Sequence, residues 1–140
     1  MAADSHLYPT DDEMGLVGAC LLGGTDTAIE VCAQVPVNAI FHDGLREAFS
    51  LIHQLSGVGS QCDQMALARE WNRLKGAQPA PIELWLSAEN ACPSSENASW
   101  HVQGVMDGWR RRRVMESGSM LASRSKDASV TVDELISEAE

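Results

Sequence analysis

Apolar residues recur along this chain at intervals of three and four, the spacing that gives an α-helix one greasy face, and no strand-like alternation persists for more than a few positions. The first such run follows Pro9 and Thr10, with Met14, Val17, Gly18, Leu21 and Leu22 on one side. Thr10-Asp11-Asp12-Glu13 has the form of a capping box, and Gly23-Gly24 reads as its stop. A second, shorter run starts at Asp26 and passes Ile29 and Cys32 before Pro36 breaks the period. The third begins near Asp43 with Leu45, Ala48, Phe49, Ile52 and Leu55, and ends in the Ser56-Gly57-Val58-Gly59 loop.

Asp63 is placed to cap a fourth helix carrying Leu67, Trp71 and Leu74, with Gly76 after it. Residues 77–81 read as a linker, and Pro81 suits the first turn of a fifth helix bearing Ile82, Trp85 and Leu86. Pro93 closes the following loop. From 95 to 124 there is no proline, so the sequence predicts one long helix with Trp100, Val105, Trp109 and Val114, although Gly104, Gly108 and Gly118 weaken it. Thr131-Val132-Asp133-Glu134 repeats the capping-box pattern and opens a last helix with Leu135 and Ile136. The expected fold is therefore all-α: a flexible N-terminus over 1–10, a small helical bundle over 11–92 and a C-terminal helical hairpin over 93–140, one domain in all.

Composition narrows the function. The 140 residues suffice for one packed core, and 20 acidic against 10 basic side chains give a formal charge of -10, which repels a phosphate backbone over most of the surface. No direct contact with nucleic acid is expected. The four cysteines, Cys20, Cys32, Cys62 and Cys92, form no Cys-x-x-Cys pair and read as buried free thiols of a cytoplasmic protein. No window reaches the ~18 consecutive apolar residues of a membrane span, and the acidic N-terminus does not resemble a signal peptide.

Candidate chemistry is sparse. No phosphate-binding Gly-x-x-x-x-Gly-Lys motif occurs, and Leu22-Gly23-Gly24-Thr25 is better read as a helix end. His6, His42, His53 and His101 are too scattered for a metal site. Asp11 and Glu13 are explained by their place in a first helical turn, and Ser5-His6 and Cys62-Asp63 lack the third group a nucleophile needs. No catalytic residue, cofactor or metal is expected. The run Arg110-Arg111-Arg112-Arg113 is different, because four successive helical positions point in every direction and at least one must meet the apolar side set by Val105 and Trp109.

The order of these features resembles the N-terminal domain of DnaB-type replicative DNA helicases over nearly the whole chain. Pro9, Glu13 and Val17-Gly18-Ala19-Cys20-Leu21 are similar to that family's opening helix. Ile40-Phe41, Phe49 and Gly59-Ser60-Gln61-Cys62-Asp63 follow in order, then the helix from Leu67 to Leu74 and the pair Trp85-Leu86. The most specific stretch is Cys92-Pro93-Ser94-Ser95-Glu96-Asn97 with Trp100-His101, Val105 and Arg112. Leu45 departs from the pattern, standing where a histidine is common, and so do the glycines of the long helix.

The resemblance implies a non-catalytic oligomerisation and docking domain. Its hairpins would pair two copies, six copies would form a collar as a trimer of dimers, and the collar would dock the helicase-binding domain of primase. Trp100, Val105, Trp109 and Met115 are the apolar interface candidates, with Arg112 and Arg113 as ionic contacts nearby. The chain ends inside what would be the second hairpin helix, so an excised domain of a longer helicase is the first expectation. A stand-alone prophage or primase-like protein that binds or regulates a helicase is the alternative.

Overall fold

A computed structural model describes residues 5–92 and 94–140; Pro93, expected to close a loop, lies outside them, as do residues 1–4 of the N-terminal arm. The described residues contain six α-helices: α1 (Thr10–Gln34), α2 (Asp43–Gly57), α3 (Gln64–Lys75), α4 (Ile82–Ala91), α5 (Ala98–Arg124) and α6 (Val132–Ala139). Single 3-10 turns at Val37–Ala39 and Ser95–Asn97 join them. No strand forms among the described residues.

α1 is the hub. Leu16, Val17, Ala19 and Cys20 are wholly buried, and α2, α4 and the first half of α5 pack around them. The two runs expected on either side of Gly23-Gly24 share this one element, broken at Gly24 by a backbone of φ 77° and ψ -165° that glycine adopts without strain. By length and composition α1 is apolar enough to cross a bilayer, contrary to expectation, with a mean hydropathy of 1.4 over its most apolar window. Its apolar length is that of a core helix touched from several sides, and the break at Gly24 interrupts it.

The start of α1 corrects another expectation. Thr10 does not cap it, and Pro9 precedes the first turn with no side-chain cap. Glu13 instead turns inward, 1% exposed, and its two carboxyl oxygens accept from the backbone N–H groups of Phe41 (2.7 Å) and His42 (3.0 Å). Those amides lie where the chain enters α2, whose cap is the His42 ring: Nδ1 accepts from Leu45 N–H at 3.2 Å.

The α2 stripe is as expected, with Leu45, Ala48, Phe49, Ile52 and Leu55 all buried. Asp63 caps α3 by accepting from Ala66 N–H at 2.9 Å, and Gly76 ends that helix at φ 61°. Trp71 packs edge-on against Trp85 with ring centroids 6.3 Å apart. Leu74 and Leu86, expected on the inner faces of α3 and α4, are about half exposed because the buried stripes run through Ala66, Leu67 and Trp71 on α3 and through Trp85 and Ala88 on α4. Cys20, Cys62 and Cys92 are buried free thiols and Cys32 is partly covered. Burial pushes the Cys20 thiol well above its ordinary range, and burial with the nearby Cys32 and Asp63 pushes Cys62 up to about 11, so neither is a nucleophile near neutrality.

The glycines of the long helix do not break it. α5 is continuous, and Gly104 and Gly108 mark where it crosses α1 and the residues just before it. A Cβ on Gly104 would fall 2.0 Å from Asp12 Oδ2, and one on Gly15 would fall 2.3 Å from the His101 ring. Each helix thus supplies the gap that seats the other's polar side chain, and His101 Nδ1 lies 3.1 Å from Asp12 Oδ1 across the crossing. Gly108 makes the same allowance for Pro9.

Candidate docking interface

α5 has two lives along its length. Its first half belongs to the globule, where Val102, Val105, Gly108 and Arg112 are buried; beyond Arg112 no residue of it is. The remaining turns leave the body and meet α6, which folds back after residues 125–131. α6 opens on the expected capping box: Thr131 Oγ1 accepts from Glu134 N–H at 3.1 Å while Glu134 accepts from Thr131 N–H at 3.3 Å. Arg124 and Glu138 pair across the hairpin at 2.6 Å. Within the 93–140 expected for the hairpin, α5 is thus anchored in the globule by Val102, Val105, Gly108 and Arg112, and only its later turns project.

This division sorts the six interface candidates. Val105 is 0% exposed inside the chain's own core and Arg112 is 7% exposed, so neither is available to a partner; both are corrections. Trp100 is exposed on the first turns of α5, and Met115 is exposed at the root of the arm. Trp109 is half-buried and carries the Arg113 guanidinium 5.0 Å above its ring, leaving Arg113 itself exposed. Val114, an apolar position of the long helix, is also exposed because the buried stripe is set by residues 102, 105, 108 and 112.

The arginine run resolves as helical geometry requires. Arg112 is the one that turns inward; its Nη1 and Nη2 donate to the carbonyls of Leu7 (2.7 Å) and Ala39 (2.9 Å). Arg111 pairs with Asp107 one turn earlier at 2.7 Å. Arg110 and Arg113 make no ion pair among the described residues, and both line a groove of about 800 Å³ between α5 and α6. Val114, Met120 and Leu121 form its apolar floor, and Glu138 stands on the opposite wall.

Met120, Val132 and Ile136, which are 65%, 69% and 54% exposed on the arm, were not among the interface candidates. The signal was present in Val132 within a capping box and Ile136 after it, but an eight-residue helix with an apolar face can equally be core. Elsewhere the other chemical candidates are accounted for: Ser5 and His6 are exposed, Cys62 is buried, and Asp63 is an N-cap. Among the described residues no group of three or more His, Cys, Asp or Glu side chains is placed to hold a metal.

No known family model matches this sequence, and no curated protein matches it. The fold, in contrast, is similar to a solved one, the crystal structure of the N-terminal domain of DnaB helicase from Mycobacterium tuberculosis. The TM-score is 0.78 at 21% sequence identity, over 93% of this chain and 92% of the other. An all-α globule extended by a helical hairpin, matched from end to end at that score, gives this chain the fold of a DnaB helicase N-terminal domain.

Proposed function

We propose that this chain is a non-catalytic assembly domain of a cytoplasmic replicative helicase, pairing with a second copy through its helical hairpin and offering the resulting collar to primase. The observation that carries the reading is the arm: Val114, Met115, Met120, Val132 and Ile136 are all exposed, and no part of the described chain covers them. Apolar side chains gathered on a projecting two-helix element are stabilised by a partner's apolar surface. The fold likeness supports the same reading.

Charge supports a second copy as the occupant. Arg110 and Arg113 present cations beside the groove, while α6 carries Asp133, Glu134 and Glu138. Each copy thus holds both halves of a complementary pair, as a two-fold interface requires. Trp100, Trp109 and Met115 remain the apolar anchors of the proposal, with Arg113 as its ionic contact and Val105 and Arg112 withdrawn to the core. Direct nucleic-acid binding is not part of it, since the chain is strongly acidic and its basic run is divided between the core and the arm.

Sedimentation velocity at micromolar concentration tests the pairing. The unaltered chain should sediment as a dimer or larger. Val114→Asp with Met120→Asp should weaken assembly at least tenfold, about 1.4 kcal/mol, with the helical circular dichroism unchanged. A chain that stays monomeric throughout, or a doubly substituted one that associates as before, sinks the proposal. Titration of the dimer with the helicase-binding domain of a primase tests the docking role separately.

A further inference from the structure

The place where α5 leaves the globule is built unlike the rest of the core. Every other buried position on that helix is a valine or glycine, and the last one is Arg112. Its guanidinium reaches two backbone carbonyls that are far apart in sequence: Leu7 in the segment before α1, and Ala39 in the 3-10 turn before α2. Two aromatic rings flank it, Phe41 at 5.3 Å and Tyr8 at 5.9 Å, and those rings touch each other with centroids 4.5 Å apart. Pro9 closes the arrangement from the other side, seated against the bare face of Gly108 one turn up α5.

We propose that Arg112 and the segment Leu7-Tyr8-Pro9 form a clamp that sets the angle between the hairpin arm and the globule, so that the N-terminal segment governs where the arm points. This goes beyond the pairing of arms, because it concerns geometry inside one chain and holds whether or not two chains associate. The physical reason is leverage. Residues 113–124 of α5 extend past the clamp with no buried residue of their own, about 18 Å of helix at 1.5 Å per residue. A tilt of about 10° at the root moves the tip by about 3 Å over that length.

The chemistry fits this use of arginine. A planar fork can donate to two divergent carbonyls while lying against aromatic faces, whereas a lysine ammonium offers a point charge on a flexible stem. The loop that Arg112 holds by its Ala39 carbonyl is held two residues later by Glu13, which accepts from the Phe41 and His42 amides. The clamp is thus anchored to α1 through that loop. Its side nearest the surface is the N-terminal segment, whose Leu7 and Tyr8 are only partly buried.

Pulsed electron-electron resonance tests this on the full chain. Spin labels carried by a keto amino acid at the exposed positions Val58 and Ser123, the latter close to the tip of α5, report the distance from globule to arm, with labelled chains diluted in unlabelled ones so that only intrachain distances are read. Arg112→Lys and Tyr8→Ala should each broaden or shift that distance by about 3 Å, the displacement of a tilted arm of this length. The helical circular dichroism should stay unchanged. Should Arg112→Lys fail to fold, Tyr8→Ala decides alone, since it removes one ring and leaves both carbonyl partners in place. A distance distribution as narrow and as centred as in the unaltered chain overturns the clamp. That outcome leaves the pairing of arms untouched, because sedimentation reads that separately.

Discussion

Glu13 shows how a single buried polar side chain can organise backbone that has no regular structure of its own. Phe41 and His42 lie between a 3-10 turn and α2, where their N–H groups have no helical partner, and the two Glu13 oxygens supply both acceptors. Removing that side chain strands two amides beside a closed core. Glu13→Ala is therefore expected to cost about 2–4 kcal/mol in urea unfolding, and Glu13→Gln, which keeps one carbonyl acceptor, roughly half of that. Equal losses for the two substitutions would mean that packing, rather than hydrogen bonding, is what Glu13 provides. The sequence pointed elsewhere, because Thr-x-x-Glu before an apolar run has the form of a capping box and the competing acceptor role depends on residues 28 positions away.

At the level of whole helices, glycine position separates close contact from mere tolerance. Gly18 lies where α1 meets α4, and a Cβ there would fall 2.0 Å from the Ala88 carbonyl oxygen, a backbone atom that cannot swing aside. Gly118 has nothing within 4 Å and sits in the exposed half of α5. Gly18→Ala should destabilise the fold by about 1–3 kcal/mol through overpacking. Gly118→Ala should leave it unchanged or raise stability by up to about 1 kcal/mol, since alanine loses less chain entropy in a helix. Thermal unfolding of the two variants side by side measures this, and a reversed order would show that α1 and α4 do not approach as described. Three glycines in one long helix read from sequence as weakness; two of the three, Gly104 and Gly108, are contact points.

The molecule as a whole is a globule with a lever. Its core closes around α1, α2, α4 and the first half of α5, while α6 contributes no buried residue and rests on the arm. Cutting the chain after Lys126 should therefore leave the globule's unfolding free energy within about 0.5 kcal/mol of the parent, as expected for residues with no core contact. On the proposed function the same cut should abolish association, because it removes Val132, Ile136 and the acids of α6. Calorimetry and sedimentation on one sample check both halves; a large loss of stability would place α6 in the core.

What the sequence determined by itself was every helical stretch and its order, though it divided at Gly23-Gly24 what is one element, α1. Helix formation is governed by near neighbours: an Asp63 three residues before Ala66, a Thr131 before Glu134, a stripe from Leu45 to Leu55. Even the inward turn of one arginine among four followed from helical angles alone. Which side of α5 faces inward was another matter, because Val105 and Arg112 were candidates for a partner's surface and are buried with Val102 and Gly108 in the chain's own core. Only tertiary structure decided that, since burial depends on where α1 and the N-terminal segment cross the helix, a contact between residues about a hundred positions apart that local spacing does not encode.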